Sequence, residues 1–144
     1  MSAFARRPRL LAGRMTALFL GGLLMLPGAI GRAAAGGWSH PRDLRILMPD
    51  YRFEPSRLVL RRGVPYRLHF VNLGKEWHEF TAPEFFRTAA LGDAKVLNEA
   101  NSELAVPPGG ARDLYVIPKV AGHYRFYCAD HDWAGMVGTI IVRR

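Results

Sequence analysis

The stretch "YCADHDWAGMVG", residues 127–138, brings a cysteine, a histidine and a methionine close together in the order Cys-x2-His-x4-Met. Cys128 is the single cysteine of a chain of 144 residues. A further histidine, His78, lies upstream in "WHEF". Thiolate, imidazole and thioether are soft to intermediate ligands. One thiolate, two imidazoles and a long, weak axial thioether make the donor set of a blue-copper electron-transfer site. Taken singly, each residue has a plainer explanation. A lone buried cysteine usually packs as a small hydrophobe, a methionine on a strand face usually fills core, and an inward histidine usually finds a hydrogen bond. The set and its spacing, rather than any one member, point to a metal.

The N-terminal segment makes the lone cysteine more telling. Residues 1–35 read as a secretory signal: Arg6, Arg7, Arg9 and Arg14 form a basic start. "MTALFLGGLLML" forms an apolar run too short to span a bilayer comfortably, and "RAAAGG" offers a small-residue cleavage site after Ala35. An uncleaved anchor is the alternative. The expected location is periplasmic or secreted, where small domains commonly staple themselves with paired cysteines. One cysteine makes no internal pair, which leaves a free thiol, an intermolecular bridge or a metal ligand.

Export also accounts for most of the charge. The whole chain carries 20 basic and 12 acidic residues, a net of +8. Five of the arginines fall within residues 1–35, so the remainder has 15 basic against 12 acidic residues, a net of +3. No long Lys/Arg run survives there, so no nucleic-acid partner is expected.

Residues 36–144 read as one domain of short strands separated by turn signals, an all-β pattern. "LRILM", "RLVLRR", "PYRLHFVN", "WHEFTA", "ELAV", "ARDLYVIP", "GHYRFYC" and "MVGTIIV" are the expected strands. In "PYRLHFVN", Val64, Tyr66, Leu68 and Phe70 alternate with Arg67 and His69, which gives one buried face and sends His69 toward solvent. Thr81 and Glu84 at capping-box spacing, Pro83 at the start and Gly92 beyond predict one short helix over Pro83–Leu91. Parity places Cys128 on the inward face with Tyr124 and Phe126, His78 with Phe80, and Met136 with Gly138, Ile140 and Val142. Three potential ligands therefore point inward from strand ends, and His131 comes from the loop between two of them. His40, near the mature N-terminus, is expected to be disordered, and His123 to lie on the outward face of "GHYRFYC".

The C-terminal motif "YCADHDWAGMVG…IIV" resembles the copper loop of the cupredoxins, particularly the plastocyanin-like short loop. "FVNLGKEWHEF" is similar to the segment that supplies the first histidine in that family's bacterial periplasmic members. The resemblance runs from about Leu44 to Arg144. It implies an antiparallel Greek-key β-sandwich, with His78, Cys128 and His131 as in-plane ligands of one copper ion and Met136 as its axial ligand. It implies one-electron transfer between Cu(II) and Cu(I), with His131 as the exit path and a redox protein such as a cytochrome or oxidase as partner. Trp133, Ala134 and Gly135 would form a small apolar docking patch, or Trp133 would simply pack over the loop. The resemblance fails at Glu79, where familiar members carry asparagine. A carboxyl there would accept a hydrogen bond beside the metal, lower its potential, or point to solvent.

Competing functions separate on residues. Copper storage or delivery would use the same four ligands, although the Met-rich or His-rich tracts that would favour it are missing from this sequence. An oxidase or nitrite reductase needs further copper ligands, usually His-x-His pairs, and the sequence has none, so catalysis is not expected. A metal-free interaction module would have lost ligand positions, and all four are filled. The expectation is a monomeric periplasmic electron carrier, with copper handling as the alternative.

Overall fold

The computed structural model describes residues 37–100 and 102–144. The segment expected to act as a signal, residues 1–35, lies outside them. Alternation of apolar and polar side chains sets the strands. β3 (Tyr66–Asn72) buries every second residue, and β2 (Arg57–Arg61) buries Leu58 and Leu60 between exposed neighbours. The remaining strands are β1 (Arg42–Met48), β4 (His78–Thr81), β5 (Ala89–Leu91), β6 (Glu103–Val106), β7 (Ala111–Pro118), β8 (Gly122–Tyr127) and β9 (Val137–Arg143).

They form two sheets, ordered β1-β3-β7-β5 and β2-β9-β8-β4-β6. The antiparallel pairing expected of a Greek key holds at β3–β7, β5–β7, β4–β6, β4–β8 and β8–β9. Two pairs depart from it: β1 runs parallel to β3, and β2 runs parallel to β9. The parallel registers align strand ends. Arg42 and Tyr66 start together and Met48 and Asn72 finish together, while Arg61 finishes beside Arg143. The inner faces share one core, in which Phe53, Phe70, Phe80 and Phe126 pack ring against ring with centroids 4.7–6.1 Å apart.

The helix expected over Pro83–Leu91 stops at Arg87. Ala89–Leu91 extend instead and pair with β7, which covers an edge that would otherwise stay open. The capping box does not form. Thr81 belongs to β4, its hydroxyl turns to Glu103 Oε2 at 3.3 Å, and Ala82 occupies the cap without a side-chain bond. Gly92 does not end the helix either, since its N–H donates to the Tyr115 carbonyl in continuation of the β5–β7 pairing. Phe85 and Phe86 keep the helical turn because both bury in the core.

β8 and β9 approach closely at Gly138, where a Cβ would run into the Phe126 ring and stand 2.5 Å from the Ser56 carbonyl oxygen. The backbone oxygen has no rotamer to escape through. Gly138→Ala is expected to destabilise the fold by about 1–3 kcal/mol, the usual cost of overpacking. Urea unfolding should show the midpoint lowered with an unchanged slope.

Candidate metal centre

The site lies where β4 begins and where the β8–β9 loop closes. Its first half is fixed by Asn72, which is fully buried at the end of β3. Asn72 Nδ2 donates to the carbonyls of Glu76 (2.7 Å) and Val106 (2.9 Å), and its Oδ1 accepts from the Gly74 N–H (2.8 Å). Asp50 Oδ1 accepts from the Lys75 N–H. These bonds pin residues 73–77 and so aim His78, the first residue of β4.

The second half is a self-bonded loop. The Cys128 N–H donates to the Met136 carbonyl (3.0 Å), and the N–H groups of Met136 and Ala134 donate to the His131 carbonyl. Asp132–Ala134 form one 3-10 turn, which Gly135 ends at φ 91, a left-handed conformation suited to glycine.

Together these halves place three donor atoms around one point. Cys128 Sγ lies 3.3 Å from His131 Nδ1 and 4.0 Å from His78 Nδ1, and the two Nδ1 atoms are 3.3 Å apart. All three residues are buried. Trigonal donors about 2.0–2.3 Å from a shared ion stand about 3.5–3.7 Å from one another, so the triangle has the size a small soft-to-borderline cation requires. Met136 is fully buried at the root of the loop, tied through its backbone to both Cys128 and His131.

Three carboxylates surround these donors. His131 Nε2 meets Glu76 Oε2 at 2.8 Å, and His78 Nε2 lies 3.4 Å from Asp50 Oδ1 without a well-aligned hydrogen bond. Both rings thus turn Nε2 to an acid and Nδ1 inward. That arrangement fixes the tautomer and orientation of metal-bound imidazoles elsewhere. Glu79 does not point to solvent. It is buried, and its Oε2 accepts the Cys128 thiol hydrogen at 2.8 Å while its backbone N–H donates to Sγ at 3.5 Å. Burial first, and then the Glu79 hydrogen bond and charge, push the thiol from the ordinary 9.0 up to about 12.

Sequence reasoning missed Asn72, Asp50 and Glu76. The Asn-x-Gly turn in "VNLGKE" was a signal for Asn72. Asp50 and Glu76 carried none, being two among 12 acidic residues. His69 also differs from expectation: its Nδ1 bonds Asp113 Oδ1 at 2.7 Å, and the ring is only half exposed. His123 is exposed as expected, and His40, expected to be disordered, stands exposed in a bend just before β1. Trp133 stands 79% exposed, with its Nε1 donating to the Asp130 carbonyl of the same loop. Tyr51 lies edge-on to His131 with centroids 5.2 Å apart, and Trp77 and Val137 are exposed large apolar neighbours in sequence of His78 and Met136.

Gly74 has no room for a side chain. A Cβ there would collide with Asp50 Oδ1 and stand 2.7 Å from His78 Nε2. Gly74→Ala should therefore push the Asp50 carboxylate and the His78 ring out of register. The expected result is metal affinity weakened about 10- to 100-fold, the range seen when outer partners of ligands are lost, with little change in urea stability. Competition against a chelator checks it.

A family model described as a cupredoxin-like domain matches residues 22–142. The copper-resistant cuproprotein CopI of Rubrivivax gelatinosus is 31% identical over 113 residues, spanning 71% of this chain and 67% of its own length. Auracyanin B shares the fold with a TM-score of 0.54 at 19% identity, over 72% of this chain and 89% of that one. Auracyanin from the photosynthetic bacterium Roseiflexus castenholzii does so at 0.54 and 16% identity, over 71% and 97%.

Proposed function

The chain belongs to the cupredoxin-like domain family, and we propose that it is an exported type 1 copper protein that passes single electrons between redox partners. The carrying observation is the buried triangle of Cys128 Sγ, His78 Nδ1 and His131 Nδ1, with edges of 3.3, 3.3 and 4.0 Å. In this reading those three residues would hold one copper ion, with the Met136 thioether as a further, weaker donor. Bound copper would contribute one-electron chemistry by alternating between its cupric and cuprous states.

The chain's own groups do the rest. Glu76 holds the His131 Nε2 and Asp50 lies near the His78 Nε2, which leaves each Nδ1 to donate a lone pair. Cys128 must release its proton to solvent, and Glu79 Oε2 at 2.8 Å is the group in place to relay it. The self-bonded loop and the aromatic core beneath it resist rearrangement, which keeps the donor atoms where either oxidation state would find them. His131 is the ring nearest the surface, and Trp133 and Tyr51 flank it as an apolar landing area for a cytochrome or oxidase. The signal-like residues 1–35 support export to the periplasm or beyond.

A second reading is copper handling in metal tolerance, favoured by the 31% identity to a copper-resistant cuproprotein. The two readings separate once the copper is reduced. An electron carrier keeps its copper in the cuprous state, bleaches and recolours reversibly, and exchanges electrons with a cytochrome c in stopped-flow mixing. Release of the ion to a cuprous chelator on reduction, with no such exchange, would replace the carrier with the handling protein.

A further inference from the structure

A pocket lies at the other end of the sandwich. Arg42, Arg61, Arg143 and Tyr66, with Val59 and Leu60, line a cavity of about 180 Å³. The parallel registers bring these residues together: Arg42 stands beside Tyr66 at the start of β1 and β3, and Arg61 beside Arg143 at the end of β2 and β9. Six residues of strand, about 20 Å, separate the start of β3 from its Asn72 end beside the metal centre.

The chemistry of the cavity is one-sided. Three arginines line it and no acidic residue does. Among the described residues none of the three has an ion pair, whereas Arg52, Arg67 and Arg125 each meet an acid. The nearest candidate in sequence, Asp43, is drawn to Arg67 at 3.5 Å. Tyr66 is buried, and its hydroxyl oxygen accepts the Arg61 N–H at 2.9 Å, which leaves its own hydrogen to donate. Like charges gathered without a counter-charge repel, and an anion relieves that repulsion. Guanidinium forks match the oxygens of a phosphate in paired, charge-assisted bonds. The pocket is half open to solvent and has room for one phosphate group.

We propose that this cavity binds a phosphate group, through Arg42, Arg61, Arg143 and the Tyr66 hydroxyl. The group has two sources with the same chemistry, a free phosphate compound or an anionic phospholipid headgroup.

The test uses the full domain, residues 36–144, in two arms. Calorimetric titration with inorganic phosphate reads the free source, and co-sedimentation with phosphatidylglycerol vesicles, against phosphatidylcholine vesicles, reads the headgroup. The variants are Arg61→Gln with Arg143→Gln, Tyr66→Phe, and a control pair of equal charge loss, Arg57→Gln with Arg87→Gln, each with its urea midpoint measured. The expected result is binding in at least one arm that falls tenfold or more in the first pair, falls measurably in Tyr66→Phe and survives in the control pair. Phosphate binding assigns the free source; vesicle binding alone assigns the headgroup. No binding in either arm, or equal losses in both arginine pairs, overturns the site.

Discussion

Cys128→Ser is expected to abolish the intense visible absorption of the copper-loaded protein and to weaken copper affinity by at least about 100-fold. The loss follows from the donor set. Sγ closes a triangle with two imidazole nitrogens at 3.3 and 4.0 Å, and the soft thiolate is the donor that selects copper and gives the charge-transfer transition. A serine hydroxyl is hard, nearly isosteric and far more reluctant to ionise. The variant should fold, because a hydroxyl can still donate to Glu79 Oε2 from a fully buried position. Urea stability should change by no more than about 1–2 kcal/mol, on the scale of one altered buried hydrogen bond. Visible absorption, electron paramagnetic resonance and chelator competition read the result together. If the wild type binds copper with only a weak spectrum and the variant matches it, the thiolate site is wrong and copper handling through other residues becomes the better account.

The strands and the place of this site were legible because both rest on period-two alternation. Tyr124, Phe126 and Cys128 share a face in the sequence, and all three are buried in the fold. The same parity puts His78 above Phe80 and Met136 above Ile140. What the sequence hid was decided by partners distant along the chain. Pro83–Leu91 carries good helix signals, yet Ala89–Leu91 extend because β7 offers a free edge. Thr81 and Glu84 have capping-box spacing, but β4 claims Thr81 first. Parallel pairing of β1 with β3 and β2 with β9 leaves no mark in alternation, because a strand buries the same face in either direction. Asp50 and Glu76 look like any surface acids in one dimension, whereas Glu79 stands out only by following His78 directly. Only the fold shows one on each histidine and one on the thiol.

Copper uptake at this buried thiol is expected to depend strongly on pH. The Cys128 thiol, ordinarily at 9.0, is held up to about 12 by burial and by the Glu79 carboxyl. Below that value the metal-free protein carries the thiol proton, and each ion bound must displace it. Apparent affinity should therefore fall at least tenfold for every unit the pH drops, about a thousandfold from pH 8 to pH 5. A thiol at 9.0 would stop responding above pH 9, whereas this one keeps gaining affinity beyond it. The metal-free fold responds in the opposite sense. Its thiol holds the proton more tightly than the unfolded chain does, so that contribution to stability is complete below pH 9 and is lost as pH rises toward 12. The stability gap between loaded and metal-free protein should thus widen steadily with pH. Glu79→Gln tests the cause. Without the carboxylate's charge and with a weaker acceptor, the thiol should ionise at lower pH in an ultraviolet thiolate titration. A slope near zero in wild-type uptake would mean that no thiol proton is displaced, and that the ion sits somewhere other than on Cys128.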